Sequence, residues 1–101
     1  MKIYISGKIT GMEAAAALQF AAKEHELRSL GWREIINPMA LPHQHDKQWA
    51  SYMRECIVAL CGCTHIYMMR NWHKSHGAQI EHNLAYNLGL HIEYEHNPEI
   101  E

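Results

Sequence analysis

Four short runs rich in β-branched and aromatic residues recur along the chain, each separated from the next by a stretch of helical character. The runs are Lys2-Ile3-Tyr4-Ile5-Ser6, residues 32–36, His65-Ile66-Tyr67-Met68-Met69 and residues 90–94. Between them, residues 13–30, 48–60 and 75–88 carry helix formers with apolar positions at helical spacing. Strands joined through helices lie parallel, and their crossovers are right-handed, so this β-α-β-α-β-α-β order leaves few arrangements open. The expectation is a parallel sheet with helices on both faces. At 101 residues it forms a single domain over 1–101, without room for a second core.

Local signals set the element ends. Gly7 stops the first run, and Gly7-Lys8-Ile9-Thr10-Gly11 reads as a turn. Glycines after a first strand can cradle phosphate, but the full dinucleotide fingerprint is absent. In the first helix six alanines with Leu18, Phe20, Leu27 and Leu30 give an apolar face, and Gly31 ends it. Asn37-Pro38 closes the second strand. In the second helix Trp49, Met53, Ile57 and Leu60 fall on one stripe, expected in the core, with Cys56 beside it as a small buried hydrophobe.

The stretch Trp72-His73-Lys74-Ser75-His76-Gly77-Ala78-Gln79-Ile80-Glu81 is the most informative for function. It joins the end of a buried strand to the start of a helix, where an open α/β sheet places its ligand. Ser75 is a good N-cap, Gly77 permits close approach, and a helix N-terminus attracts anions. Glu81 shares a helix face with Gly77 and Ala85, both small, and side chains on a helix lean back toward its N-terminus. A carboxylate beside an anion site and Trp72 points to work on a nucleotide. The competing reading from spacing alone is a solvated glutamate on an amphipathic helix.

Bulk properties remove other classes. A net charge of −2 exerts no pull on polyanions, so neither a nucleic-acid polymer nor an anionic membrane is expected as partner. No apolar run approaches the ~20 residues that cross a bilayer, and no leader is expected. Three cysteines, Cys56, Cys61 and Cys63, on one short stretch do not make a disulfide framework, which suits a reducing cytoplasm. His43-Gln44-His45-Asp46 contains metal-ligand types but lacks a complete ligand set, so no metal or other cofactor is expected.

Taken together, Tyr4-Ile5-Ser6-Gly7-x-Ile9-Thr10-Gly11, Phe20, Gly31, Asn37-Pro38 and Tyr52-Met53-Arg54 resemble the short phage and bacterial proteins of the DUF4406 family. So do Trp72-x-x-Ser75-x-Gly77-Ala78-x-x-Glu81, Ala85 and Leu88-Gly89. That family is similar to the nucleoside 2-deoxyribosyltransferases and the deoxynucleoside monophosphate N-glycosidases. The resemblance implies an α/β three-layer sandwich with a Rossmann/flavodoxin-like parallel sheet of four to five strands. It also implies a nucleoside or nucleotide as small-molecule partner, a cytoplasmic location in a bacterium or phage-infected host, and a homodimer or larger homo-oligomer.

By the same resemblance Glu81 is the nucleophile that attacks the anomeric carbon, and Tyr4 helps orient it. Ser75 and Gly77 match the 5′-phosphate site, and the loop from Ser6 and Gly7 through Ile9, Thr10 and Gly11 contributes substrate contacts. Trp72 offers either a stacking surface for a base or a structural lid. Two departures stand out: Cys56 occupies the place of an aspartate on the second helix, and Thr64 that of another near the third strand. A neutral thiol is a poor general acid, so His45, Asp46 or a neighbouring subunit's carboxylate would have to substitute. Three readings follow in order: an N-glycosidic-bond enzyme, a nucleotide or nucleotide-signal binding protein on the same fold, and a metal or redox protein.

Overall fold

The computed structural model describes residues 1–43 and 48–96. Four parallel strands, β1 (Lys2–Ser6), β2 (Glu34–Ile36), β3 (His65–Met68) and β4 (His91–Tyr94), form one open sheet in the order β2-β1-β3-β4. Three α-helices link them: α1 (Glu13–Ser29), α2 (Trp49–Cys61) and α3 (His76–Asn87). The architecture is the expected α/β sandwich, with a strand count at the lower bound. Helix boundaries fall within a residue or two of those read from the sequence. The second strand is shorter, pairing only from Glu34, and a single 3₁₀ turn, Pro38–Ala40, follows it with Asn37 as its cap.

Alternation along β1 divides the core in two. Ile3 and Ile5 face α1, where they pack with Ala16, Phe20 and Leu27. Tyr4 and Ser6 point to the other side; Tyr4 joins Cys56 and Leu60 of α2, Ile66 and Met68 of β3, and Ala78 and Ala85 of α3. The sheet is thus covered on both faces, as a parallel sheet requires.

The buried stripe of α1 differs from the expected one. It consists of Ala16, Phe20, Lys23 and Leu27, whereas Leu18 and Leu30 are 75% and 74% exposed. The helical period explains Leu18, which lies half a turn from the line of positions 16, 20, 23 and 27, whereas Leu30 is the cap residue beyond the helix end. Lys23 can occupy that line because its ammonium meets Glu26, Glu95 at 2.9 Å and the Tyr67 hydroxyl at 3.2 Å. In α2, Met53 and Leu60 are buried as expected and Ile57 partly so, but Trp49 is 43% exposed.

The histidine-rich loop lies outside the described residues at 44–47, including His45 and Asp46, as does the terminal segment 97–101. His43 is turned inward, with its ring nitrogens 2.5 Å from Glu55 and 2.8 Å from the Pro38 carbonyl. Among the described residues no helix is long and apolar enough to cross a membrane.

Candidate active site

The chain turns from one face of the sheet to the other between β1 and β3, which are neighbours although α1 and α2 cross on opposite sides. Ligands of open α/β sheets bind beyond the carboxyl ends of strands at such a point. A cavity of about 430 Å³ lies there. Its floor is Glu81, Tyr4 and Cys56; Trp49, Tyr52 and Met53 of α2 form one wall, and the first turn of α3 forms another.

Glu81 is 5% exposed, so it is no solvated helix-surface glutamate. Its Oε2 accepts a hydrogen bond from the Tyr4 hydroxyl at 2.6 Å, and its Oε1 accepts one from Ser6 Oγ at 2.7 Å. Both donors come from the α3-facing side of β1, two residues apart, which is why one strand can hold both oxygens. Burial pushes the Glu81 carboxyl from 4.5 up to about 7, with the Tyr4 and Ser6 hydroxyls pulling back in part. Burial, then the adjacent Glu81 charge, holds Tyr4 well above its ordinary range, so it remains a donor.

Cys56 is 1% exposed, and burial raises its thiol to about 11, against partial relief from the Tyr4 and Tyr52 hydroxyls. It sits in the floor as a neutral group. Burial likewise raises Tyr52 well above its usual range. Thr64 lies at the opposite end of the sheet, where its hydroxyl accepts from the Lys2 N–H at 3.0 Å, so its identity does not touch the cavity.

Ser75 caps α3 by accepting from the Ala78 N–H at 3.1 Å, and the hydroxyl's own hydrogen is still available to a ligand. Lys8 and Lys74 also line the cavity and bring positive charge to it. Gly7, Ile9, Thr10, Ser75 and Gly77 all line it, as expected. A Cβ on Gly7 would come within 3.0 Å of Met69 Cβ and 3.2 Å of Asn71 Oδ1, so the loop's tight seat against the end of β3 requires glycine.

Three expected contacts, Ser6, Gly11 and Trp72, lie outside the cavity lining, and Gly77 lines it but is glycine for a different reason than expected. Ser6 is buried behind the floor and holds Glu81 without lining the cavity. Gly11 is also outside the lining, its N–H given to Glu13 at 3.2 Å within a left-handed turn. At Gly77, the space a Cβ would fill is occupied by the Met53 sulfur, 3.0 Å away, so the glycine admits a neighbouring helix there. Trp72 turns toward α3 and β4, stacking on His82 with centroids 4.3 Å apart and packing near Tyr94.

The tryptophan that does reach the cavity is Trp49, stacked on His76 at 5.4 Å. Its position on the Met53 stripe made it look like core, yet it lies at the first turn of α2, where that stripe runs off the sheet. The exposure of a helix's first turn was the one sequence signal that could have separated Trp49 from Met53.

A family model described as Domain of unknown function (DUF4406) matches residues 1–94, a span reaching from β1 to the last residue of β4. No curated protein and no solved structure matches the chain.

Proposed function

The chain belongs to the DUF4406 family, and from the geometry of its cavity we propose that it cleaves or transfers at the N-glycosidic bond of a nucleoside, deoxynucleoside or nucleoside monophosphate. The carrying observation is Glu81: a buried carboxylate on the cavity floor, held through both oxygens by Tyr4 and Ser6. In this reading the chain is a relative of the nucleoside 2-deoxyribosyltransferase-like enzymes, and its site works as they do. A Glu81 oxygen attacks C1′, the C1′–N bond breaks with its electron pair going to the base, and a glycosyl ester forms. Water or a second base then attacks C1′ and releases the carboxylate.

Several features support this assignment. The tyrosine and serine hydroxyls fix the carboxylate's orientation, so attack begins from a preorganised group. With its ionisation near pH 7, a substantial fraction of Glu81 is the required anion at neutral pH. The N-terminus of α3, the Ser75 hydroxyl, Lys8 and Lys74 together form a seat for a 5′-phosphate.

A second reading, a binding protein that leaves its nucleotide intact, draws on Cys56. Its thiol, near 11, is a weak proton donor for a departing base, and general-acid help is worth ~10²–10⁴ in rate. Incubation with deoxynucleosides and their monophosphates, with and without an acceptor base, separates the readings by chromatography. Free base from the wild type but not from Glu81→Ala supports the enzyme; tight binding with the ligand recovered intact supports the binding protein. A homodimer belongs to the same proposal, since Ala14, Leu18, Ala21 and Ala22 leave an exposed apolar strip on α1. A monomeric mass by sedimentation at micromolar concentration would refute it.

A further inference from the structure

The floor of the cavity and its rim carry opposite charges. Among the described lining residues Glu81 is the only carboxylate, and its recorded partners are two neutral hydroxyls, with no lysine, arginine or histidine at ion-pair distance. A buried carboxylate ordinarily has a cationic partner, because its charge is expensive to desolvate alone. Here its open side faces a cavity walled by Trp49, Tyr52 and Met53. Aromatic faces attract cations, and a thioether is polarisable and apolar. Lys8 and Lys74 line the same cavity as the first turn of α3, and these groups suit an anion.

From this arrangement we infer that the favoured ligand is a dipolar nucleotide whose base is formally cationic, a pyridinium or an N-alkylated purinium N-glycoside. Its phosphate lies against Lys8, Lys74 and the start of α3, and its cationic ring lies over the aromatic wall above Glu81. The inference rests on the proposed glycosidic chemistry and narrows it to one substrate class. Glu81 gains the positive partner that the protein does not give it, which favours its ionised, nucleophilic form.

The leaving-group chemistry agrees. A neutral base must gain a proton at nitrogen as it departs, and the Cys56 thiol in the floor holds its proton too tightly to give it. A cationic base needs none. As the C1′–N bond breaks, its electron pair neutralises the ring nitrogen, while a Glu81 oxygen forms the C1′ ester. Water then adds to C1′, the carboxylate is released, and one water proton passes to solvent. Atoms and charge balance without any further reactant.

A matched pair differing only in ring charge tests this. The carbocyclic analogue of nicotinamide mononucleotide has no glycosidic bond to break, and its reduced dihydropyridine form is neutral in the ring. Wild-type protein is expected to bind the pyridinium form about tenfold more tightly than the dihydropyridine form. In Glu81→Gln the ratio should fall to roughly twofold or less, with a melting temperature no lower than wild type showing that the fold is intact. Nicotinamide mononucleotide itself should release nicotinamide with wild type only. Equal binding of the two forms, or base release from guanosine and inosine monophosphates as fast as from their 7-methyl counterparts, would overturn the inference. In that second case the glycosidic reading would stand, with His76 beside Trp49 as the proton donor to test. Charge preference without base release from any substrate would support the cation site and overturn the glycosidic reading.

Discussion

Replacing Glu81 by glutamine should make the protein more stable at neutral and alkaline pH while removing its chemistry. Burial raises the Glu81 carboxyl from 4.5 to about 7 in the folded protein, whereas the unfolded chain returns it to the ordinary value. Between those values the folded state holds the proton and the unfolded state has lost it, so stability falls as pH rises from about 4.5 to 7 and then levels off. The full difference corresponds to roughly 3 kcal/mol at about 1.4 kcal/mol per pH unit. Glutamine cannot ionise, and its amide can still accept from Tyr4 and donate to Ser6, so it escapes the penalty and keeps the volume. Urea unfolding of both proteins should therefore show a small difference at pH 5 and an advantage of about 1–3 kcal/mol for Glu81→Gln at pH 8. In a domain of this size each kcal/mol corresponds to a melting shift of about 4–8 °C. Other titrating groups are common to both proteins and cancel in the comparison. A gap that does not change between pH 5 and pH 8 would refute the account of Glu81 as a carboxylate destabilised by its burial.

Three further substitutions probe the site's supports. Tyr4→Phe removes a hydroxyl that holds the Glu81 charge, so the acidic limb of a pH–rate profile for base release should move above its wild-type position near 7, with a stability loss of about 1–2 kcal/mol; an unmoved limb would show that Tyr4 does not tune the carboxylate. Gly7→Ala places a Cβ against Met69 and Asn71, and a loss of about 1–3 kcal/mol in chemical denaturation is expected, because Met69 Cβ is anchored to the backbone. Ser75→Ala should weaken the start of α3 by about 0.5–2 kcal/mol, seen as faster amide exchange at Ala78, and unchanged exchange there would argue against the cap.

Much of the fold was legible because its causes are local. Alternation in Lys2–Ser6, the helical period of residues 49–61 and glycines at 31 and 89 depend only on neighbours a few positions away. The same locality exposed part of the site: Ser75 as N-cap, and Glu81 one turn after Gly77 on the face that meets the sheet. It misplaced residues whose surroundings come from distant segments. Leu18 carries the same side chain as Leu27, yet only the latter lies on the line facing β1. Trp72 precedes the capped helix directly, but its ring is claimed by His82 and Tyr94.

The chain's own chemistry therefore determined an alternating α/β sequence of elements, a parallel sheet, and a carboxylate near a helix start at the strand ends. Tertiary structure alone decided what that carboxylate is. Tyr4 and Ser6 reach Glu81 across 77 and 75 residues of chain, and no periodicity spans such a distance. Only the docking of α3 onto β1 buries the carboxylate, raises its affinity for a proton, and faces it toward a wall supplied by α2. Charge, burial and access at one side chain are set by three elements at once, whereas a sequence pattern describes one element at a time.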